Sequence, residues 1–473
     1  MRQNLLVRII FTIILLLTMI LVPTAPVSAA DVNLKSAAMG TDTSAVTSAA
    51  GWVDVGTAPA NTANVNGSTS AGDKILVVAS FHAEETVSML GSFRIRNNAG
   101  TPILSSEFVR ELSVVKANDT GIGSIVHIFT ATDGTDDSFT LQHSTTAGTM
   151  TTAATIVAIP LATSEGSLPY GEFTRTDPDA VNGTTWEEVG DDISTPTTCR
   201  TGAVTLGNNA HIYVAASIET EQDGGGNDTG SWKLQYSTDS NFDSDVRELG
   251  TTMMRYLSGN GDIGLSGLVG LAQNQPSGPY YFRVMHYGED TSVTTNKVSL
   301  VAVGLEDGSH YLQAWGKTLA SDTTQSTSLE GVTGGSVTFT PDVSSSDLFM
   351  HAVFQMGATK TSLSTYDISL DGYSTQDEHR FISSATDVGA GNSAGLTSIT
   401  NTEYTLSLNH SISDGAETLT TSNVSLVGFA MGYDTETPPI PEWPTYLLVG
   451  SGMVLVVVYF WFRRDRAIAT NSR

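Results

Sequence analysis

The sequence predicts an all-β protein, three tandem β-sandwich domains set between an N-terminal export signal and a C-terminal transmembrane helix. Three observations carry this reading. An ordered set of four strand-like segments recurs three times between Asp31 and Asp434. These segments are rich in β-branched and aromatic residues and are bounded by Gly, Asn, Asp and Ser turns, with no capped helical period among them. Both ends of the chain are long apolar runs with basic residues beside them.

The N-terminal element reads as a signal peptide over residues 1–29. Arg2 and Arg8 form a positive n-region, Ile9 to Val22 is almost wholly apolar, and Val27-Ser28-Ala29 leads to a cleavage site after Ala29 or Ala30. No Cys follows the run, which argues against lipoprotein processing.

Each repeat begins its pattern with an apolar strand after a polar turn: GDKILVVASF from Gly72, NAHIYVAASI from Asn209 and SDLFMHAVFQ from Ser346. A second strand follows from Gly91, Gly230 and Ser364. The penultimate strands are SFTLQHS, YYFRVMHYG and EYTLSLNHS, and the closing strands are TAATIVAIPL, TNKVSLVAVGL and TSNVSLVGFAMG. Trp52, Trp186 and Trp315 are read as opening the three units. These segments define domains over 45–163, 170–306 and 310–434, a size suited to double-sheet sandwiches. Short joints near 164–170 and 306–310 favour stacked domains over beads on a string. The last two strands of each unit loosely resemble the end of TNF- or C1q-like jelly rolls, which favours jelly-roll-like over immunoglobulin topology.

After the third repeat come a Pro-rich spacer (435–445), an apolar span (446–462) long enough to cross a bilayer, and a basic tail (463–473). Arg463, Arg464 and Arg466 mark the cytoplasmic side, so everything before Pro438 is expected outside the cell, at the cell surface. Pro441, Glu442, Trp443, Pro444 and Thr445, then the span and the three arginines, resemble PEP-CTERM sorting signals and their archaeal relatives. That resemblance implies processing by an exosortase- or archaeosortase-type enzyme. The plain alternative is a single-pass anchor with Trp443 and Tyr446 as interfacial aromatics.

Composition excludes several classes. A formal net charge of −27 over 473 residues leaves no basic footprint for nucleic acid. A hydrophobic fraction of 40% is that of packed domains, not of disorder. The lone Cys199 can form no internal disulfide and reads as a small buried thiol.

Candidate site residues are few. GNSAG (391–395) and GNGDIG (259–264) spell a nucleophile elbow and a dinucleotide loop but lack the following helix that each requires. The first reads as a Gly/Ala/Ser-rich connection between strands. No catalytic residue is assigned, and the expectation is a non-enzyme. Asp239, Asn241, Asp243 and Asp245 mimic half of an EF-hand loop, with Ser244 and Gly250 where Gly and Glu belong. They are weak Ca²⁺ candidates, the one cofactor considered. His143, His286 and His410 recur at the end of each penultimate strand, where a hydrogen-bonding role is expected. Sequons stand at Asn66, Asn118, Asn182, Asn227, Asn409 and Asn423. The leading function is structural or adhesive display at the cell surface, in a layer or matrix with self-association. The alternatives are glycan binding through exposed aromatics such as Trp232, Tyr280 and Tyr281, and an extracellular hydrolase with an unrecognised site.

Overall fold

In the computed structural model, the residues described lie between 38 and 433, apart from 58–61, 66–69, 86, 98–106, 113–119, 132–137, 164–165, 182–184, 191–197, 223–225, 259–260, 290–292, 306–310 and 342–344. All regular structure among them is β-strand, and every strand pair is antiparallel. The terminal segments 1–29 and 435–473, with the sorting motif Pro441–Thr445, the span and Arg463, Arg464 and Arg466, lie outside the described residues. Among those described, no helix is long and apolar enough to cross a membrane.

The first repeat contains β1 (Ala38–Thr47), β2 (Val53–Asp54), β3 (Ala63–Asn64), β4 (Lys74–Glu85), β5 (Met89–Asn97), β6 (Phe108–Leu112), β7 (Thr120–Thr130), β8 (Ser138–Thr145) and β9 (Thr149–Pro160). A short hairpin of β10 (Ala162–Thr163) and β11 (Gly166–Ser167) leads to the second repeat. That repeat holds β12 (Tyr170–Arg175), β13 (Asp179–Val181), β14 (Glu187–Glu188), β15 (Val204–Leu206), β16 (Ala210–Gln222), β17 (Asp228–Ser237), β18 (Arg247–Leu257), β19 (Ile263–Gln275), β20 (Gly278–Gly288) and β21 (Val293–Leu305). The third holds β22 (Tyr311–Thr324), β23 (Glu330–Phe339), β24 (Ser345–Ala358), β25 (Ser362–Leu370), β26 (Tyr373–Ser374), β27 (Glu378–Ile382), β28 (Gly389–Ile399), β29 (Tyr404–Ile412) and β30 (Leu419–Tyr433).

Each repeat forms two sheets of the same order. One runs β1-β9-β4-β7, with β12-β21-β16-β19 and β22-β30-β24-β28 as its counterparts. The other is built on β8-β5-β6, β20-β17-β18 and β29-β25-β27, with the two-residue strands β2 and β14 and the ten-residue β23 on its near edge. The second sheet faces solvent on one side, so its strands alternate: β5 is buried at every other residue from Met89 to Asn97.

The first sheet of each repeat is covered on both faces, and this explains its unbroken apolar runs. In β4, Ile75, Val77, Ala79 and Phe81 enter the repeat's own core, where Phe81 stacks on Phe93 at 4.2 Å. Leu76 and Val78, on the opposite face, join a second core shared with the other repeats. The same division holds in β24, where Leu348, Met350 and Phe354 turn inward while Phe349 and Val353 reach the shared core. The three inner sheets therefore pack on one another, and residues up to Gly432 form one compact body.

Register corrects two expectations. Val53, Glu187 and Glu330 occupy equivalent positions, opposite His143, His286 and His410. Trp52 and Trp186 precede the first two, but the third repeat has Leu329 there. Trp315 lies in β22, on the other sheet, stacked on Phe339 at 3.8 Å. Its even spacing from the other tryptophans is a coincidence of loop lengths. GNSAG is the middle of β28, paired with Met350 to Phe354, and not a connection.

Candidate functional site at the repeat seams

The edge strands β7, β19 and β28 converge, each touching the other two, so the three inner sheets meet around a pseudo-threefold axis. Small residues are required there. A Cβ on Gly267 would stand 2.9 Å from Ser124 Oγ and 3.1 Å from Asn392 Nδ2, so the equivalent residues of the three strands already touch. Pairing with β4, β16 and β24 identifies Ser124, Gly267 and Asn392 as equivalents.

An edge strand carries backbone groups with no partner in its own sheet. Two seams satisfy them by the same device. The Val126 N–H in β7 donates to Ser217 Oγ of the second repeat (3.0 Å), and Ser299 Oγ donates to the Val126 carbonyl (2.6 Å). The Ala394 N–H in β28, equivalent to Val126, donates to Ser80 Oγ of the first repeat (3.1 Å). Ser80 and Ser217 are equivalent; the third seam has Val353 instead. Beside that seam is a depression of about 200 Å³ bordered by Gly250, Gln273, Lys317, Thr318 and Ser425.

Near the axis, the Asn392 side-chain N–H donates to His351 Nε2 (2.7 Å). The ring proton then sits on Nδ1, 2.7 Å from the Tyr213 hydroxyl. Burial holds this imidazole neutral, its pKa lowered to about 3. Each seam has a polar contact of its own farther out. Between repeats one and two, Glu219 Oε2 accepts the Val109 N–H (2.6 Å), and burial raises its pKa. Between two and three, Thr251 Oγ1 donates to the Asn423 carbonyl (2.6 Å), while Asn423 Nδ2 donates within the third repeat to Gln355 (2.9 Å).

Between repeats three and one lies a denser cluster. Ser80 Oγ donates to Glu378 Oε1 (3.1 Å), while Glu378 Oε2 is 3.2 Å from His82 Nδ1. His82 meets His379 edge-on at 4.8 Å, and His379 Nδ1 is 3.0 Å from Thr365 Oγ1. Glu378 is wholly buried, and its equivalents across β5 and β17 are the apolar Phe108 and Met253. Burial pushes the Glu378 carboxyl well above the ordinary range and His82 down to about 4.

The three recurrent histidines lie inside their own repeats. His143 Nδ1 is 2.8 Å from Thr152 Oγ1, His286 Nδ1 3.0 Å from Thr295 Oγ1, and His410 Nδ1 2.7 Å from Thr421 Oγ1. Directly across from them stand Phe93, Trp232 and Tyr366. Trp232 Nε1–H donates to Thr295 Oγ1 (3.1 Å), which leaves the Thr hydroxyl to donate to His286 Nδ1. The Nε2–H of His286 then faces Asp179 Oδ2 at 3.3 Å. Each is a threonine-bridged brace between the two sheets.

The other candidate residues are dispersed. The Asp239 carboxylate accepts the N–H groups of Asn241 (3.0 Å) and Asp243 (3.2 Å), bonds that lower its pKa, so it closes its own loop. Phe242 and Asp245 there adopt positive φ. Among the described residues, no three His, Cys, Asp or Glu are placed to hold a metal ion. Asn227 is exposed, Asn409 Nδ2 donates to Asp367 (2.7 Å), and Asn423 is held in the seam; Asn66, Asn118 and Asn182 lie outside the described residues. Cys199 is buried, and burial raises its thiol pKa. Trp232 and Tyr280 are not exposed aromatics: both are buried at inward register positions, and the Tyr280 hydroxyl donates to the Pro276 carbonyl (2.9 Å). Tyr281, the next residue, is partly exposed.

The partly exposed aromatic pairs on the outer sheets were not foreseen. The Arg94 guanidinium lies 3.9 Å from the Trp52 ring centre, and its equivalent Lys233 lies 4.3 Å from that of Trp186. Both cations are 13% exposed, so each is largely covered. The alternation of RIR and KLQ marked these positions as outward, but the partnership with a distant Trp had no local signal.

No protein-family model matches the chain, and no curated protein does. Among solved structures, Eiger TNF from S. frugiperda is 14% identical, covering 30% of this chain and 94% of its own, with a TM-score of 0.20. PNGase F, a glycosylasparaginase from Flavobacterium meningosepticum, is 9% identical, covering 56% and 97%, with a TM-score of 0.27. Sulfolobus Turreted Icosahedral Virus is 10% identical, covering 79% and 84%, with a TM-score of 0.18. Likenesses this distant transfer nothing to this chain.

Proposed function

We propose that this chain is an exported cell-surface protein, tethered through residues 446–462, whose three jelly-roll-like sandwiches form one rigid head with a structural or adhesive role. The observation that carries this is the shared core. The three inner sheets are spent on packing against each other, while the outer sheets and loops are left to face surroundings. The strand order supports jelly-roll topology, since the eight main positions switch sheet at every step but the middle one, where the fourth and fifth strands pair in one sheet, as two Greek keys do. The Pro-Glu motif, the span and the arginines support a membrane partner and a sorting enzyme acting at the tail.

Glycan is the adhesive ligand favoured by one observation: Trp52 and Trp186 each lay an aromatic ring over a cation on equivalent outer surfaces. Beads coated with residues 31–434 are expected to capture cell-envelope fragments, and a Trp52→Ala, Trp186→Ala head to capture several-fold less if glycan is the ligand. Coated beads that stay bare would remove the adhesive reading. In whole cells, external protease should cut the head, and mass spectrometry of the mature C-terminus reads the tail: an intact Arg473 leaves an anchor and no sorting cleavage.

A further inference from the structure

The seam between the third and first repeats differs from the other two in covalent terms. The chain itself joins the first repeat to the second and the second to the third within a few residues. Only contacts close the third onto the first. At that closure the buried Glu378, bonded to Ser80 and facing the half-buried His82 and His379, takes the position that Phe108 and Met253 fill in the other repeats.

A carboxyl with no exposure and no cationic partner cannot stay ionised, because transfer of the charge from water costs more than its hydrogen bonds return. The groups facing Glu378 are a serine hydroxyl and an imidazole. Glu84 on β4 and Asp377 beside β27 are the charged groups that act on His82 and His379, and both are acidic. Glu85 lies on the opposite face of β4. Strand β28 carries no ionisable residue, and β7 carries only His127, near Lys74 and Lys297. Arg380, two residues along β27 on the same face, pairs with Asp387, and the charge felt at Glu378 is that of the acidic Asp377, which holds the proton on.

We infer that Glu378 is a one-proton latch: closing the ring puts a proton on its carboxyl, so the third-to-first seam loosens as the pH rises above neutrality. The proton count gives the sign. In the closed seam Glu378 keeps its proton and His82 is neutral. In an opened seam Glu378 ionises near its ordinary value of about 4.3 and His82 titrates near about 6.5. Between those values open and closed states each hold one proton on this pair, so the pair is indifferent to pH there, while His379, lowered by burial, opposes closure as acid protonates it in the opened seam. Above about pH 6.5 the open pair holds none and the closed pair still holds one, so closure weakens about tenfold per pH unit until Glu378 itself ionises. This is the reverse of an ordinary buried-histidine switch, which would loosen on acidification.

Amide exchange on residues 31–434 tests it, because the Ala394 N–H bonds across this seam and the Val126 N–H across the neighbouring one. With intrinsic rates divided out, protection at Ala394 is expected to fall about tenfold per pH unit from pH 7 upward. Val126, whose seam holds the buried Glu219 beside the Lys297 ammonium, should show a shallower slope. Glu378→Gln, which keeps an amide donor and an acceptor but cannot ionise, should flatten the slope at Ala394. Glu378→Met, the second repeat's residue at this position, should do the same, so that one misfolded variant leaves the other to decide. A flat profile in the parent protein, a slope surviving in both variants, or an equal slope at Val126 would each overturn the latch.

Discussion

A histidine held neutral inside a folded domain makes that domain sensitive to acid, and this chain has several. Burial lowers His143 to about 4, His127 to about 4, and His286 and His351 to about 3. Unfolding returns each to about 6.5, so the unfolded chain binds more protons throughout the interval between. Stability present above pH 6.5 is therefore lost as the pH falls towards 4. For His143 the loss is about 2–3 kcal/mol. In His143→Gln, which can still bond Thr152, the drop in Tm between pH 7 and pH 4.5 should be smaller than in the parent. An identical drop would remove His143 from the account. The recurrence of these residues at one strand end was legible in sequence, and so was a hydrogen-bonding role. Their threonine partners were not, because Thr152, Thr295 and Thr421 lie on a different sheet from the histidine each one meets.

At the scale of the strand, legibility followed burial. Strands β4, β16 and β24 announced themselves as continuous apolar runs, and β5 and β29 as alternations, because both patterns are direct images of covered and half-covered sheets. Strands β19 and β28 did not. Glycine, alanine and serine have low strand propensity and read as loops, yet here they are dictated by the crowding of three backbones on one axis. The same crowding makes Gly267→Val a sharp test. Its side chain would have to displace Ser124 and Asn392, and overpacking of this kind costs about 1–3 kcal/mol. Urea denaturation should show that loss, whereas Gly202→Val, where no atom lies near, should cost much less.

At the scale of the molecule, three repeats were visible from the order of their strands, but their closure was not. Sequence reports which faces are apolar and not which apolar face meets which. The stacking expected from short joints is realised as mutual burial of three inner sheets. An isolated second repeat, residues 170–306, would bare Tyr213, Ala215, Val269 and Val301 on its inner sheet. Exposed patches of this kind drive association. Light scattering should find residues 31–434 at the mass of one chain and the isolated repeat in larger species. A monomeric, well-folded isolated repeat would contradict the shared core.

Glu378 shows what linking three copies into one polypeptide permits. In an assembly of three identical subunits, every substitution at a contact appears three times, and a carboxyl placed there would bring two more with it. Here Glu378 stands once, with Phe108 and Met253 in the other two places. Serine likewise guards two strand edges while valine takes the third. Fusion breaks the multiplicity, so each contact is free to diverge alone and a single one can acquire chemistry that a symmetric trimer could tolerate only in triplicate.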